Sequence, residues 1–153
     1  MNDDLSAALN DLFCESDLDI AKYVKRWVRG NPELKARTAL RISSAAYGQE
    51  GPQNVIHLNN LAGLLQDKGD YAAAEPLFRQ ALQIDEKTIG VTHPDYATHL
   101  NNLAGLLRAK GDYAAVEPLF RQAVQVHEAA LGAQHPNSKL ARKNLEMFLR
   151  EKP

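Results

Sequence analysis

HLNNLAGLLQDKGDYAAAEPLFRQALQ, residues His57–Gln83, returns almost unchanged as HLNNLAGLLRAKGDYAAVEPLFRQAVQ, residues His99–Gln125. The offset is 99 − 57 = 42 residues, and 23 of the 27 positions are identical. A fixed period of this size means one supersecondary unit stacked on itself. A single copy cannot bury its apolar face, and neighbouring copies bury it for one another. The same step finds fainter copies on both sides. ALRI at Ala39–Ile42, ALQI at Ala81–Ile84 and AVQV at Ala123–Val126 line up. So do Gly48, Gly90 and Gly132, and Pro52, Pro94 and Pro136. The chain therefore holds two full units, a degraded one before them and a truncated one after.

Each full unit reads as two helices. The first, helix A, is predicted over about Gln53–Asp67 and again over Pro94–Ala109. Leu58, Leu61, Ala62 and Leu65 recur as Leu100, Leu103, Ala104 and Leu107, the spacing of one helical face. Lys68-Gly69 and Lys110-Gly111 close it, because glycine supplies the left-handed turn residue and lysine suits the negative end of the helix dipole. Asp70 and Asp112 then cap helix B. Helix B turns Tyr71, Ala74, Leu77, Phe78, Ala81 and Leu82 inward, repeated as Tyr113, Val116, Leu119, Phe120, Ala123 and Val124. Two or three residues between the helices make them an antiparallel hairpin. Pro76 and Pro118 stand past the first turn of helix B, where proline removes a backbone hydrogen bond, and read as a kink on the outer side. Gly90 and Gly132 close helix B. Pro94 and Pro136 then open the next helix A, with His93 and His135 before them as caps.

The flanks are less regular. Asp3–Phe13 and Asp17–Arg29 read as amphipathic helices, the second with Lys22, Lys25, Arg26 and Arg29 on one side. That basic side is either a solvated edge or a surface for an acidic partner, RNA or lipid headgroups. Gly30-Asn31-Pro32 is a boundary, with Asn31 as cap and Pro32 in the first turn of a helix running to about Tyr47. The final helix, Pro136–Glu151, is expected to turn Leu140, Leu145, Phe148 and Leu149 inward. Lys139, Arg142, Lys143, Arg150 and Lys152 form the polar outer side of a cap.

Composition narrows the chemistry. A net charge of −1 supplies no general field for nucleic acid or membrane. Cys14 is alone, which excludes an internal disulfide and fits a reducing compartment. MNDDLSAALNDLF is acidic and is followed by no long apolar run, so neither a signal peptide nor a membrane span is read, and the expected location is cytoplasmic. The five histidines fall mostly on repeated positions a full unit apart, with no HxxxH or CxxC spacing, no phosphate loop and no GxSxG. No catalytic residue, metal or cofactor is expected, and no enzyme activity.

LNNLAGLL…KGDYAAAEPLFRQALQI…TIGVTHPDYATHLNNLA resembles the tetratricopeptide repeat, in the 42-residue form found in kinesin light chains and many bacterial proteins. Leu61, Ala62, Leu65, Gly69, Tyr71, Ala74, Phe78 and Ala81 fill its signature positions, and the second copy fills them again. Val116 departs from the family's alanine, and Leu58 and Leu65 stand where the shorter form has aromatics. The likeness covers about 53–149 well, 32–51 weakly and 1–31 not at all.

The resemblance implies an all-α, right-handed superhelix of antiparallel hairpins. Capping helices take 1–31, a degenerate half-repeat 32–51, repeats 52–93 and 94–135, and a terminal cap 136–153, as one domain. It implies further that helix A lines a concave groove in which a peptide or partner helix of another protein binds. Asn59, Asn60, Asn101, Asn102, Lys143 and Asn144 fall on that wall by resemblance, with Gln66 and Arg108 at its rim. Asparagine both donates and accepts, so a ladder of them can hold the backbone of an extended peptide. The same asparagines could instead fix the stacking of neighbouring helices. Gly63 and Gly105 leave room for a ligand backbone, or serve close helix packing, at roughly 1 kcal/mol of helix stability each. Other readings are end-to-end self-assembly, and RNA or membrane-surface binding through the basic N-terminal helix. No small-molecule substrate is expected.

Overall fold

The computed structural model describes residues 30–151. The helices expected over 3–13 and 17–29, with Cys14 and the basic side of the second, lie outside them. The chain divides into two compact units, Met1–Lys35 and Ala36–Pro153, and the repeats belong to the second.

Six helices follow one another: α1 Pro32–Tyr47, α2 Asn54–Asp67, α3 Tyr71–Thr88, α4 Pro94–Lys110, α5 Tyr113–Leu131 and α6 Pro136–Glu151. There is no strand among the described residues. α2 pairs with α3 and α4 with α5 as hairpins, while α3 packs on α4 and α5 on α6. This is the all-α repeat architecture expected from the period. The boundaries follow the expectation closely, except that α2 begins one residue after Gln53 and α4 runs on to Lys110.

Glycine makes the hairpin turns. Gly69 and Gly111 take φ of 80° and 88°, the left-handed region that L-residues avoid. The amide after each reaches back into the helix it ends: Asp70 N–H donates to Leu65 O and Asp112 N–H to Leu107 O, both at 2.9 Å. This is a Schellman-type closure, which satisfies carbonyls the helix leaves free. Asp70 then caps α3, its side chain accepting from Ala73 N–H at 3.2 Å. Asp112 does not cap α5 in this way. There the backbone carbonyl of Asp112 takes the bond instead, from Ala115 N–H at 3.3 Å. His93 and His135 do cap their helices, each Nδ1 accepting a backbone amide at 3.2 Å from Asp95 and Asn137 respectively. Asn31 caps α1, accepting from Leu34 N–H at 3.1 Å. Pro76 and Pro118 lie inside α3 and α5 and are exposed.

The buried leucines are those the period marks. Leu61, Leu65, Leu100, Leu103, Leu106 and Leu107 join Phe78, Phe120 and Phe148 in one core, and Val55, Leu58, Ala81 and Ile84 form a smaller cluster with Leu40 of α1 against it. Phe148 stacks between Phe120 and Tyr113, with ring centroids 6.1 and 6.3 Å away. Three residues expected inward are exposed. Leu140 is 57% exposed and Leu149 43%. Leu149 holds the unit position of Leu65 and Leu107, which bury against the second helix of their own hairpin, and α6 has no such helix among the described residues. Leu140 holds the position of Ile56 and Thr98, which is exposed in every unit. Tyr113 is also exposed, although its ring lies beside Phe148.

The start of each first helix is tied to the turn or the helix before it. Asn54 is fully buried and donates to Gly48 O at 2.7 Å and Gln49 O at 3.0 Å. Ser138, at the same unit position, donates its hydroxyl to Gly132 O at 2.8 Å. Tyr96 replaces them in the middle unit and donates to the Glu86 carboxylate at 2.9 Å. Burial, with that carboxylate, pushes the Tyr96 phenol up to about 12. Surface pairs add a weaker stitching. Lys110 of α4 meets Glu75 of α3 at 2.8 Å. Lys110 first, then Arg79, holds the Glu75 carboxyl below the usual carboxylate range.

Candidate binding face

Two sides of α4 are committed to packing, and one side each of α2 and α6. One faces the helix before it: Tyr96, His99, Leu103 and Leu106 on α4, and Ser138, Ala141 and Phe148 on α6, are buried or nearly so. The other faces the helix after it: Val55, Leu58, Ala62 and Leu65 on α2, and Ala97, Leu100, Ala104 and Leu107 on α4. What remains is a third side, with matching residues in each unit: Ile56, Asn60 and Gly63 on α2, Thr98, Asn102 and Gly105 on α4, Leu140, Asn144 and Met147 on α6. Arg108 of α4 reaches Glu151 of α6 at 3.6 Å, which brings these sides of α4 and α6 next to each other.

The sequence-predicted residues divide by what they touch. Asn60 and Asn102 are exposed and make no side-chain hydrogen bond within the described residues, which leaves both amide atoms of each available. Asn59 and Asn101 are half-buried and partly spent. Their amides donate to the carbonyls one turn back, Val55 O at 2.9 Å and Ala97 O at 3.2 Å. The oxygen of each is buried with no partner. Lys143 is exposed, and Asn144 and Gln66 are half-buried. Arg108 is half-buried and engaged by Glu151.

The glycines bear on what the face can do. A Cβ added at Gly63 or Gly105 would meet nothing within 4 Å. Close packing among the described residues therefore does not require glycine at either place. Space for a visiting group stands over both. At the equivalent place on α6 the side chain is Met147.

Ile56, at 61% exposure, was not singled out by sequence reasoning, and Leu140 was read as a core residue. Thr98 stands between them in the unit register, its hydroxyl donating to Pro94 O at 3.1 Å, so the side chain's remaining free group is its methyl. These three make an aliphatic row beside the amide row. The signal was available, since Ile56, Thr98 and Leu140 share a unit position that is not one of the packing positions.

The profile of the tetratricopeptide repeat family matches residues 36–87 and 53–129. The chain belongs to the tetratricopeptide repeat family. Among solved structures, the tetratricopeptide fold of this chain is similar to a putative kinesin light chain with nearly identical TPR-like repeats from Podosopora anserina, at a TM-score of 0.70 and 20% identity over 84% of this chain. It is also similar to BtubC (BKLC) from P. vanneervenii, at 0.73 and 20% over 95%. The match spans 63% of the length of each of those chains. No curated protein matches. The first of these neighbours is itself described as a putative kinesin light chain, the kind of protein whose 42-residue repeat form this sequence resembles. Tetratricopeptide repeats generally act as non-catalytic scaffolds for protein–protein contact. Among the described residues no helix is long and apolar enough to cross a membrane.

Proposed function

We propose that this chain is an interaction module whose face of α2, α4 and α6 takes up an extended peptide or helix of another protein. The observation that carries the reading is the open space over Gly63 and Gly105. Each glycine costs its helix roughly 1 kcal/mol relative to alanine, and no close contact among the described residues repays that cost. Room for a partner's backbone or side chain would. Beside the space stand the exposed amides of Asn60 and Asn102, each offering a donor and an acceptor to a passing peptide group. Asn59 and Asn101, with their amides held by their own helices, serve this face as shape more than as hydrogen-bonding groups.

End-to-end assembly finds less support. The side of α6 that would receive a further helix carries Lys139, Arg142 and Glu146, where α2 and α4 carry Val55, Leu58, Ala62 and Ala97, Leu100, Ala104. Docking a helix there would strip water from charges.

The test is selection of random displayed peptides on the folded chain. Peptides selected on the wild type should lose at least about tenfold in affinity for the Asn60→Ala/Asn102→Ala variant, which is about 1.4 kcal/mol. A Gly63→Ala/Gly105→Ala variant should gain up to about 1 kcal/mol of stability per site in urea unfolding. Selected peptides that bind both variants as tightly as the wild type would remove the reading.

A further inference from the structure

Two junctions between successive units differ at one pair of equivalent positions. Where α3 meets α4, the Asp85 carboxylate, buried in the last turns of α3, contacts Nδ1 of His99. Forty-two residues on, the same two positions hold His127 on α5 and Ala141 on α6. Both are buried, His127 to 2% exposure, and Nδ1 of His127 has no hydrogen-bond partner. Ala141 offers neither charge nor hydrogen bond.

An imidazole this buried, with Nδ1 unpartnered and no carboxylate in direct contact, is costly to charge. The ionisable groups acting on it come from two places. His135, in the turn between α5 and α6, opposes a proton on His127, and Asp95, at the start of α4, favours one. On α5 itself Glu128 is adjacent, but its carboxylate is taken by Arg142 of α6 at 3.1 Å. Burial outweighs the rest and lowers the His127 pKa.

We propose that the α5–α6 junction is an acid-released clasp, in which a proton on His127 drives α6 off α5. Its consequence for binding rests on the face proposed above, because α6 supplies Lys143, Asn144 and Met147 to that face. The release itself does not depend on that face. The direction follows from proton counting. The undocked imidazole binds a proton at its ordinary pKa, and the docked one only at lower pH. Docking is therefore fully favourable above the ordinary value of 6.5 and weakens as the pH falls below it. The α3–α4 junction is built differently, with the Asp85 carboxylate in contact with the His99 ring.

Amide hydrogen exchange on the whole chain, corrected for the intrinsic pH dependence of exchange, separates the helices. Protection of α6 should fall by up to about tenfold per pH unit below about 6.5, while α2 to α4 keep theirs. His127→Leu should flatten the α6 profile. Ala141→Asp, which gives the imidazolium a carboxylate, should hold α6 protection at low pH above the wild type. No peptide enters the measurement, so the outcome is independent of whether the binding face is real. Wild-type α6 protection that does not change with pH, or a fall that persists in His127→Leu, overturns the proposal. If His127→Leu does not fold, Ala141→Asp decides alone: an acid profile identical to wild type sinks it.

Discussion

α4 and α6 hold the same place in successive units and pack alike on the helix before them, but they differ on the side that faces forward. There α4 has Ala97, Leu100 and Ala104, all buried, and α6 has Lys139, Arg142 and Glu146, none of them buried. α4 has its hairpin partner α5 on that side. On α6, Arg142 turns instead to Glu128 of α5 and to the carbonyl of Ala133. The lesson is that periodicity marks which residues share a side of a helix, and only the presence of a neighbour decides whether that side is buried.

Exchanging the residues breaks the comparison most sharply. Leu100→Arg places a charge in a side that has no water, and should cost about 4 kcal/mol or more. Arg142→Leu should change stability by no more than about 1 kcal/mol, since the site is open to solvent. Urea unfolding of both variants measures the difference, and equal losses would mean that the forward sides of α4 and α6 are not distinct. A smaller contrast lies within α6. Phe148→Ala should cost about 3–5 kcal/mol, with Phe120 and Tyr113 losing their neighbour. Leu149→Ala, one residue on and half in water, should cost under about 1 kcal/mol. The thermal midpoint of each variant checks this. The smallest effect sharpens how α4 and α6 sit together. Glu151→Gln removes the exposed pair with Arg108, and should cost no more than about 0.5 kcal/mol at low salt and nothing measurable at high salt.

Most of the fold was legible because the two copies check each other. The leucines of α2 and α4, the glycine turns and the histidine caps all appear twice, and the structure places them as read. Leu149 was misread because it belongs to an apolar stripe whose partner helix is not among the described residues, and a helical wheel carries no record of that. Leu140 was misread for a different reason. Its unit position holds Ile56 and Thr98, and the threonine already shows that the position is not a core one. The candidate face was legible as a set of asparagines, but not the division of labour within it. Whether an asparagine bends back to its own helix, as Asn59 and Asn101 do, or stays free, as Asn60 and Asn102 do, depends on side-chain geometry that spacing cannot give. The Asp85–His99 contact was not foreseen, although Asp85 and His127 differ at one unit position in otherwise near-identical copies.

That contact also bears on how such a chain could lengthen. Its two halves come from consecutive units, and His57 occupies in the first unit the place that His99 has in the second. A further copy of residues 57–98, inserted between Thr98 and His99, would set Asp85 of the earlier copy against the new histidine, and the new aspartate against His99. Both joints would be supplied by residues already present, so growth by whole units would ask for no new interface chemistry.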